Sequence, residues 1–168
     1  IYVPLTFQPY DESPDVITSG EWVLDPEKLQ QAISSKTRAV ILNSPHNPTG
    51  SVFTLEELQT IAGIAIEHDL IVISDEVYEH LVFDDKKHIP IATLPGMFER
   101  TITISSGGKS FNTTGWKIGW ACAPAPLINA TRMAKQLFTF AGGSPFQPAI
   151  AAGLRLPDTY FTALAADL

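Results

Sequence analysis

The sequence is too poor in cysteine to build a disulfide framework. Cys122 stands alone among 168 residues, and a single thiol suits a reducing compartment. Basic charge is also scarce: Lys and Arg number 11 against 18 Asp and Glu, a formal net charge of -7. Nucleic acid and anionic membrane both need a basic face, so neither is expected as a partner. No apolar run reaches the roughly 18 residues of a transmembrane helix. The opening IYVPLTFQPY has neither a basic n-region nor an apolar h-region, so no signal peptide is expected there. These absences together point to a cytoplasmic protein. Cys122 itself sits in the apolar run Gly119–Ala123, where a buried structural thiol is expected.

What is present is ordinary for a globular α/β chain: 45% hydrophobic and 17% charged residues, at a length that suits one domain. Ile1–Leu5 reads as a strand entered without Met or cap, and PDTYFTALAADL reads as a helix without a stop signal. An excerpt of a longer protein is the expectation.

Periodicity supplies the elements. Thr6–Gly20 is polar and proline-bearing and reads as a loop. Asp25-Pro26-Glu27 opens a helix with an N-cap carboxylate and proline in the first turn. Arg38–Asn43 is a continuous apolar run of the kind buried on both faces of a parallel sheet. Thr54-Leu55-Glu56-Glu57 is a capping box, and Leu58, Ile61, Ala62 and Ala65 recur at helical spacing. Leu70–Ser74 is a second buried strand, and Val77–Phe83 reads as a short helix before a loop from Asp84 to Arg100. Thr101–Ile104 is a third strand. It is followed by Ser105, Ser106, Gly107 and Gly108, read as a tight turn that presents Lys109. Ile118–Ala123 is a further strand, a helix runs from Pro126 to about Phe138, and helical pattern resumes from Gln147 to the end.

Strands alternating with helices imply βαβ units, a mostly parallel sheet and a three-layer αβα architecture. Ligands in such sheets bind beyond the carboxyl ends of the strands. There the polar residues of three segments would converge: Asn47, Asp75, Tyr78, Ser106 and Lys109. Each alone has a plain structural role, as turn former, helix cap, packing aromatic, turn hydroxyl or surface charge. His46 and His80 have no second ligand at metal-site spacing, so no metal is expected.

Two chemistries compete for this convergence. Gly108-Lys109-Ser110 matches the end of a phosphate-loop signature, and Leu70–Glu76 resembles an acidic, Mg²⁺-positioning strand. That signature needs a glycine where Thr103 stands, and the order of the two segments is inverted. Pyridoxal phosphate (PLP) chemistry needs a lysine amine, an acid for the pyridine nitrogen, donors to the phenolic oxygen, and hydroxyl or cationic groups for the phosphate. The chain offers a candidate for each.

Asn43-Ser44-Pro45-His46-Asn47-Pro48-Thr49-Gly50, Ser74-Asp75-Glu76-Val77-Tyr78, Ser106-Gly107-Gly108-Lys109-Ser110-Phe111 and Thr114-Gly115-Trp116-Lys117-Ile118-Gly119-Trp120 together resemble the class I/II aminotransferases of fold type I. The resemblance is strongest to the kynurenine, glutamine, methionine and N-succinyldiaminopimelate aminotransferase subgroup. It implies a PLP-dependent transferase that moves an amino group between an amino acid and a 2-oxo acid by ping-pong chemistry. Lys109 would form the Schiff base and shuttle a proton between Cα and C4′. Asp75 would pair with the pyridinium nitrogen. Tyr78 and Asn47 would bond the phenolic oxygen, with Asn47 also touching the substrate carboxylate. Ser106 and Lys117 would hold the phosphate, Lys117 replacing an arginine found in many relatives. The resemblance further implies a cis Asn47–Pro48 bond and a homodimer, with the segment Thr139–Gln147 near the partner's site.

Residues 1–153 would be the central part of an incomplete large PLP-binding domain, and 154–168 the start of a helix leading toward a small domain. The N-terminal part and the small domain have no counterpart here, so the resemblance implies no transaminase activity for this chain alone. A β-lyase acting on cysteine conjugates and a catalytically inert folding or dimerisation unit are the alternatives.

Overall fold

The computed structural model describes residues 5–9 and 20–168. Most of the strand expected at Ile1–Leu5 lies outside the described residues. Two sheets form. Strands β1 (Thr6–Pro9) and β2 (Gly20–Val23) pair antiparallel. The main sheet has the order β3 (Ala39–Asn43), β4 (Ile71–Asp75), β5 (Thr101–Ser106), β6 (Gly119–Cys122). Strands β3, β4 and β5 run parallel, and β6 returns antiparallel to β5. The helices are α1 (Pro26–Ala32), α2 (Leu55–Glu67), α3 (Gly107–Ser110), α4 (Ala125–Phe138), α5 (Gln147–Gly153) and α6 (Asp158–Ala166). A mixed sheet with helices agrees with the α/β architecture read from the sequence.

The core follows from the apolar stripe of α2. Leu58, Ile61, Ala62, Ile64 and Ala65 are buried against Leu42, Leu70 and Val72 of the sheet region, with Ile91 and Met97 closing the cluster. Local chemistry fixes both helix starts. Asp25 caps α1 by accepting from the Lys28 amide at 3.1 Å, and that bond, with the Lys28 ammonium, holds its carboxyl below the usual carboxylate value. At α2, Thr54 Oγ1 accepts from Glu57 N at 3.2 Å while Glu57 Oε2 accepts from Thr54 N at 2.8 Å. Glu57 Oε1 also accepts from Leu24 N at 2.8 Å, tying the cap to the chain after β2.

Several expectations are corrected. The Thr6–Gly20 loop contains β1 and ends on β2, because antiparallel backbone pairing compensates for a polar sequence. Val77–Phe83 is a pair of turns rather than a helix, closed by Glu79 N→Glu76 O and Leu81 N→Tyr78 O. Ser105 and Ser106 continue β5, and Gly107 enters α3 without an intervening turn. The C-terminal helical stretch breaks into α5 and α6 around Pro157, which cannot donate a backbone hydrogen bond. Cys122 is exposed, because β6 is an outer strand of the sheet. Ile41 is 77% exposed. As the other outer strand, β3 is buried on the Leu42 face alone.

The capping box of α2 is directly testable. Thr54→Ala should lower stability by about 1 kcal/mol, read as a fall in the urea midpoint, with Thr54→Ser recovering most of the loss.

Candidate functional site

Parallel pairing ends β3, β4 and β5 at one edge. Asn43 lies opposite Asp75, and Asp75 opposite Ile104, two residues before Ser106. Beyond β3 the chain turns through Ser44–Thr49, with cis peptides at Ser44–Pro45 and, as expected, at Asn47–Pro48. His46 N donates to Ser51 O at 2.8 Å and Gly50 N to His46 O at 2.8 Å, closing the loop. Asn43 Oδ1 accepts from Asn47 N at 3.0 Å, and Asn43 Nδ2 donates to the Asp75 carbonyl at 3.0 Å.

From this loop Asn47 Nδ2 donates to the Tyr78 hydroxyl at 3.4 Å. Tyr78 is half-buried on the turn after β4, and Lys109 Nζ lies 5.3 Å from its ring centroid. Asn47, Tyr78 and Lys109, from three separate segments, are therefore joined by direct contact. Asp75, the last residue of β4, is half-buried, with Oδ1 accepting from Val77 N at 3.3 Å. Among the described residues its carboxylate makes no ion pair.

Lys109 is carried by α3. The two glycines before it permit close approach: a Cβ on Gly107 would lie 2.7 Å from Ile150 Cδ1, and one on Gly108 2.9 Å from Thr114 Cα. Ser106 precedes α3, and its hydroxyl makes no helix-capping bond. Lys117 adopts φ 56°, ψ 40°, a left-handed conformation that ends the 3-10 turn Thr114–Trp116. Its neighbour Ile118 accepts through O from Gly107 N at 3.1 Å, and Gly119 pairs with Ser106. Lys117 thus sits beside the β5–α3 junction, exposed. Neither Lys109 nor Lys117 makes an ion pair among the described residues.

The histidines lie in other settings. His46 Nδ1 is 2.8 Å from Thr49 Oγ1, and His80 stacks on Phe161 at 3.8 Å. No group of His, Cys, Asp and Glu able to hold a metal occurs among the described residues. A cavity of about 1190 Å³ runs along β3, lined in part by Trp22, Leu29, Ile41 and His46. It lies on the apolar flank of the edge strand, apart from Asp75, Tyr78 and Lys109.

Sequence reasoning missed a network under the site. Glu76 is 1% exposed. Its carboxylate accepts from Ser74 Oγ at 2.8 Å and meets His88 Nε2 at 2.7 Å. Ser105 Oγ donates to the Glu79 carboxylate on the following turn. The sequence carried one signal: adjacent strand residues point to opposite faces, so Asp75 and Glu76 could not share one environment. Nothing in the sequence marked His88 as the partner.

The profile of the family described as "Aminotransferase class I and II" matches residues 5–167. The chain is 57% identical over 143 residues to a probable N-succinyldiaminopimelate aminotransferase of Mycobacterium tuberculosis, covering 85% of this chain and 36% of that protein. It is 45% identical over 175 residues to kynurenine–oxoglutarate transaminase 3 of Mus musculus, covering 100% of this chain and 38% of that protein. The solved structure of N-succinyldiaminopimelate aminotransferase from Mycobacterium tuberculosis superposes with a TM-score of 0.85 at 55% identity, over 87% of this chain and 38% of that one. This chain belongs to the class I and II aminotransferases, whose cofactor is PLP. It spans less than two-fifths of the length of these relatives.

Removing the imidazole under the site leaves a buried carboxylate with one side-chain partner. His88→Ala should cost about 1–3 kcal/mol, read as a lowered urea midpoint, and His88→Gln should recover part of it.

Proposed function

We propose that residues 1–153 form the central part of an aminotransferase large domain and that 154–168 lead toward a small domain. The whole protein, in this reading, moves an amino group between an amino acid and a 2-oxo acid. Support comes from the family membership, the 36–38% span of the relatives, and the β3 flank left open at Ile41. A homodimer in the cytoplasm completes the reading.

One observation carries the chemistry: Asn47, Tyr78 and Lys109 in contact beside Asp75. The donor set also fits PLP. Among the described residues it offers two lysines without ion pairs, a hydroxyl on Ser106 not used as a cap, and a carboxylate on Asp75 with a single backbone donor. When bound, PLP supplies an aldehyde carbon that condenses with an amine and a ring that accepts the electron pair left at Cα.

The remaining steps belong to the chain. Lys109 would supply the amine for the aldehyde carbon and would carry the proton between Cα and C4′. The Asp75 carboxylate holds the proton on the ring nitrogen, since an adjacent negative charge favours the charged form of its partner. Tyr78 and Asn47 donate to the phenolic oxygen, and Asn47 also meets the substrate carboxylate. Ser106 and Lys117 bind the phosphate, Lys117 as a point charge.

Reductive trapping tests this at the reacting atom. Borohydride added to the protein at native length with PLP should leave a stable adduct on the peptide containing Lys109, found by mass spectrometry and lost in Lys109→Ala. An adduct spread over other lysines, or none, overturns the reading. Lys117→Ala should weaken PLP binding roughly 10- to 100-fold, the worth of one charge-assisted hydrogen bond.

A further inference from the structure

We propose that Asn43 is a positioning residue of this site: its side-chain amide fixes the Asn47–Tyr78 pair relative to Asp75. The inference rests on the cofactor-site reading above and concerns a residue with no role in it. Asn43 is the last residue of β3 and is half-buried. Its Oδ1 accepts from Asn47 N at 3.0 Å. Its Nδ2 donates to Asp75 O at 3.0 Å and to Pro45 O at 3.4 Å. One short side chain thus holds a loop on one side and the adjoining strand on the other.

The backbone alone cannot do this. The β3–β4 ladder stops at the Asn43–Asp75 pair, followed by a single Ser44 N→Asp75 O bond of 3.1 Å. The next residues include Pro45 and Pro48, which have no N–H to donate. The loop bearing Asn47 is therefore short of its own anchoring donors, and the Asn43 amide substitutes for the missing ladder. Only an amide of this length offers an acceptor at one end and two donors at the other. Aspartate keeps the acceptor and loses the donors. Alanine loses both.

The consequence reaches the reacting groups through two bonds. Releasing Asn47 N frees the residue whose amide donates to Tyr78 at 3.4 Å. Releasing Asp75 O loosens the strand end that aims the acid. Hydrogen bonds donated to an anionic phenolic oxygen favour its charged form. Loosening Asn47 and Tyr78 should therefore raise the pH at which the visible band of bound PLP changes.

The test uses the protein at native length with PLP. Equilibrium dialysis and a spectral pH titration are run on wild type, Asn43→Ala, Asn43→Asp and the core control Leu58→Ala. In Asn43→Ala, PLP affinity should fall roughly tenfold, as expected for one or two lost hydrogen bonds, and the titration midpoint should rise. Asn43→Asp keeps the Asn47 tether, so its midpoint should lie closer to wild type. Leu58→Ala loses core packing but removes no hydrogen bond of the site, so it should leave the midpoint in place, which separates positioning from general destabilisation. Wild-type binding at Lys109 with Asn43→Ala and Asn43→Asp within twofold in affinity and unshifted in midpoint overturns the role of Asn43. Absence of Lys109-dependent binding in wild type overturns the cofactor site itself, and the inference with it.

Discussion

Parallel pairing of β3, β4 and β5 brings Asn43, Asp75 and Ser106 to one edge of the sheet. Parallel strands cannot be joined by tight hairpins, so each connection must leave the edge, cross a face and return. Helix α2 makes the first crossover and the turns around Ile91 and Phe98 make the second. Every connection therefore starts at the same edge with backbone groups that the ladder no longer satisfies. Such groups must find partners, and the partners here are side chains with hydrogen-bonding ends. Asn43 bonds the Asp75 carbonyl, and Asp75 accepts from Val77 N. The requirement that gathers polar residues for structural reasons also gathers those able to hold a ligand.

Alternation carried one residue past the end of β4, where Glu76 N still donates to Ile104 O, then separates two adjacent acids. Asp75 is left half-exposed with one backbone donor, while Glu76 is 1% exposed and bonded by Ser74 and His88. A buried carboxylate without partners would cost several kcal/mol, so the Ser74–Glu76–His88 network is what allows Glu76 to stand at this strand end. In doing so it ties the Asp84–Arg100 connection to the underside of the turn that carries Tyr78. Two neighbours of the same charge thus take opposite roles, one held down and one left available.

Legibility in the sequence followed the range of the interaction. The Arg38–Asn43, Leu70–Ser74 and Thr101–Ile104 strands and the α2 capping box were readable because a local pattern encodes each. The edge where Asn47, Asp75, Tyr78 and Lys109 meet followed from one topological rule. Beyond that range the reading failed. The β1–β2 pairing depends on partners up to 17 residues apart, as in Thr6 with Val23. Gly107 and Gly108 look like a turn, yet they serve close packing against Ile150 and Thr114. The contacts Glu76–His88 and Asn43–Asp75 join segments 12 and 32 residues apart, and no periodicity marks either. Cys122 and Ile41 are apolar by sequence but sit on outer strands, which only the strand order reveals.

Charge raises an apparent conflict that distance resolves. A chain of net charge -7 repels an anionic phosphate at long range, so the field of the whole chain does not favour the cofactor. At physiological salt the Debye length is about 8 Å, which screens most of the acidic surface from any one point at the sheet edge. Within that radius, short-range donors decide. Lys109 and Lys117 make no ion pair among the described residues, although acids outnumber bases 18 to 11 along the chain. Lys117, with no ion-pair partner among the described residues, is left to meet an incoming anion at this edge. Affinity for a phosphate would then come from contact and hydrogen bonding, with steering contributing little. Such a site discriminates by fit and hydrogen bonding rather than by charge alone.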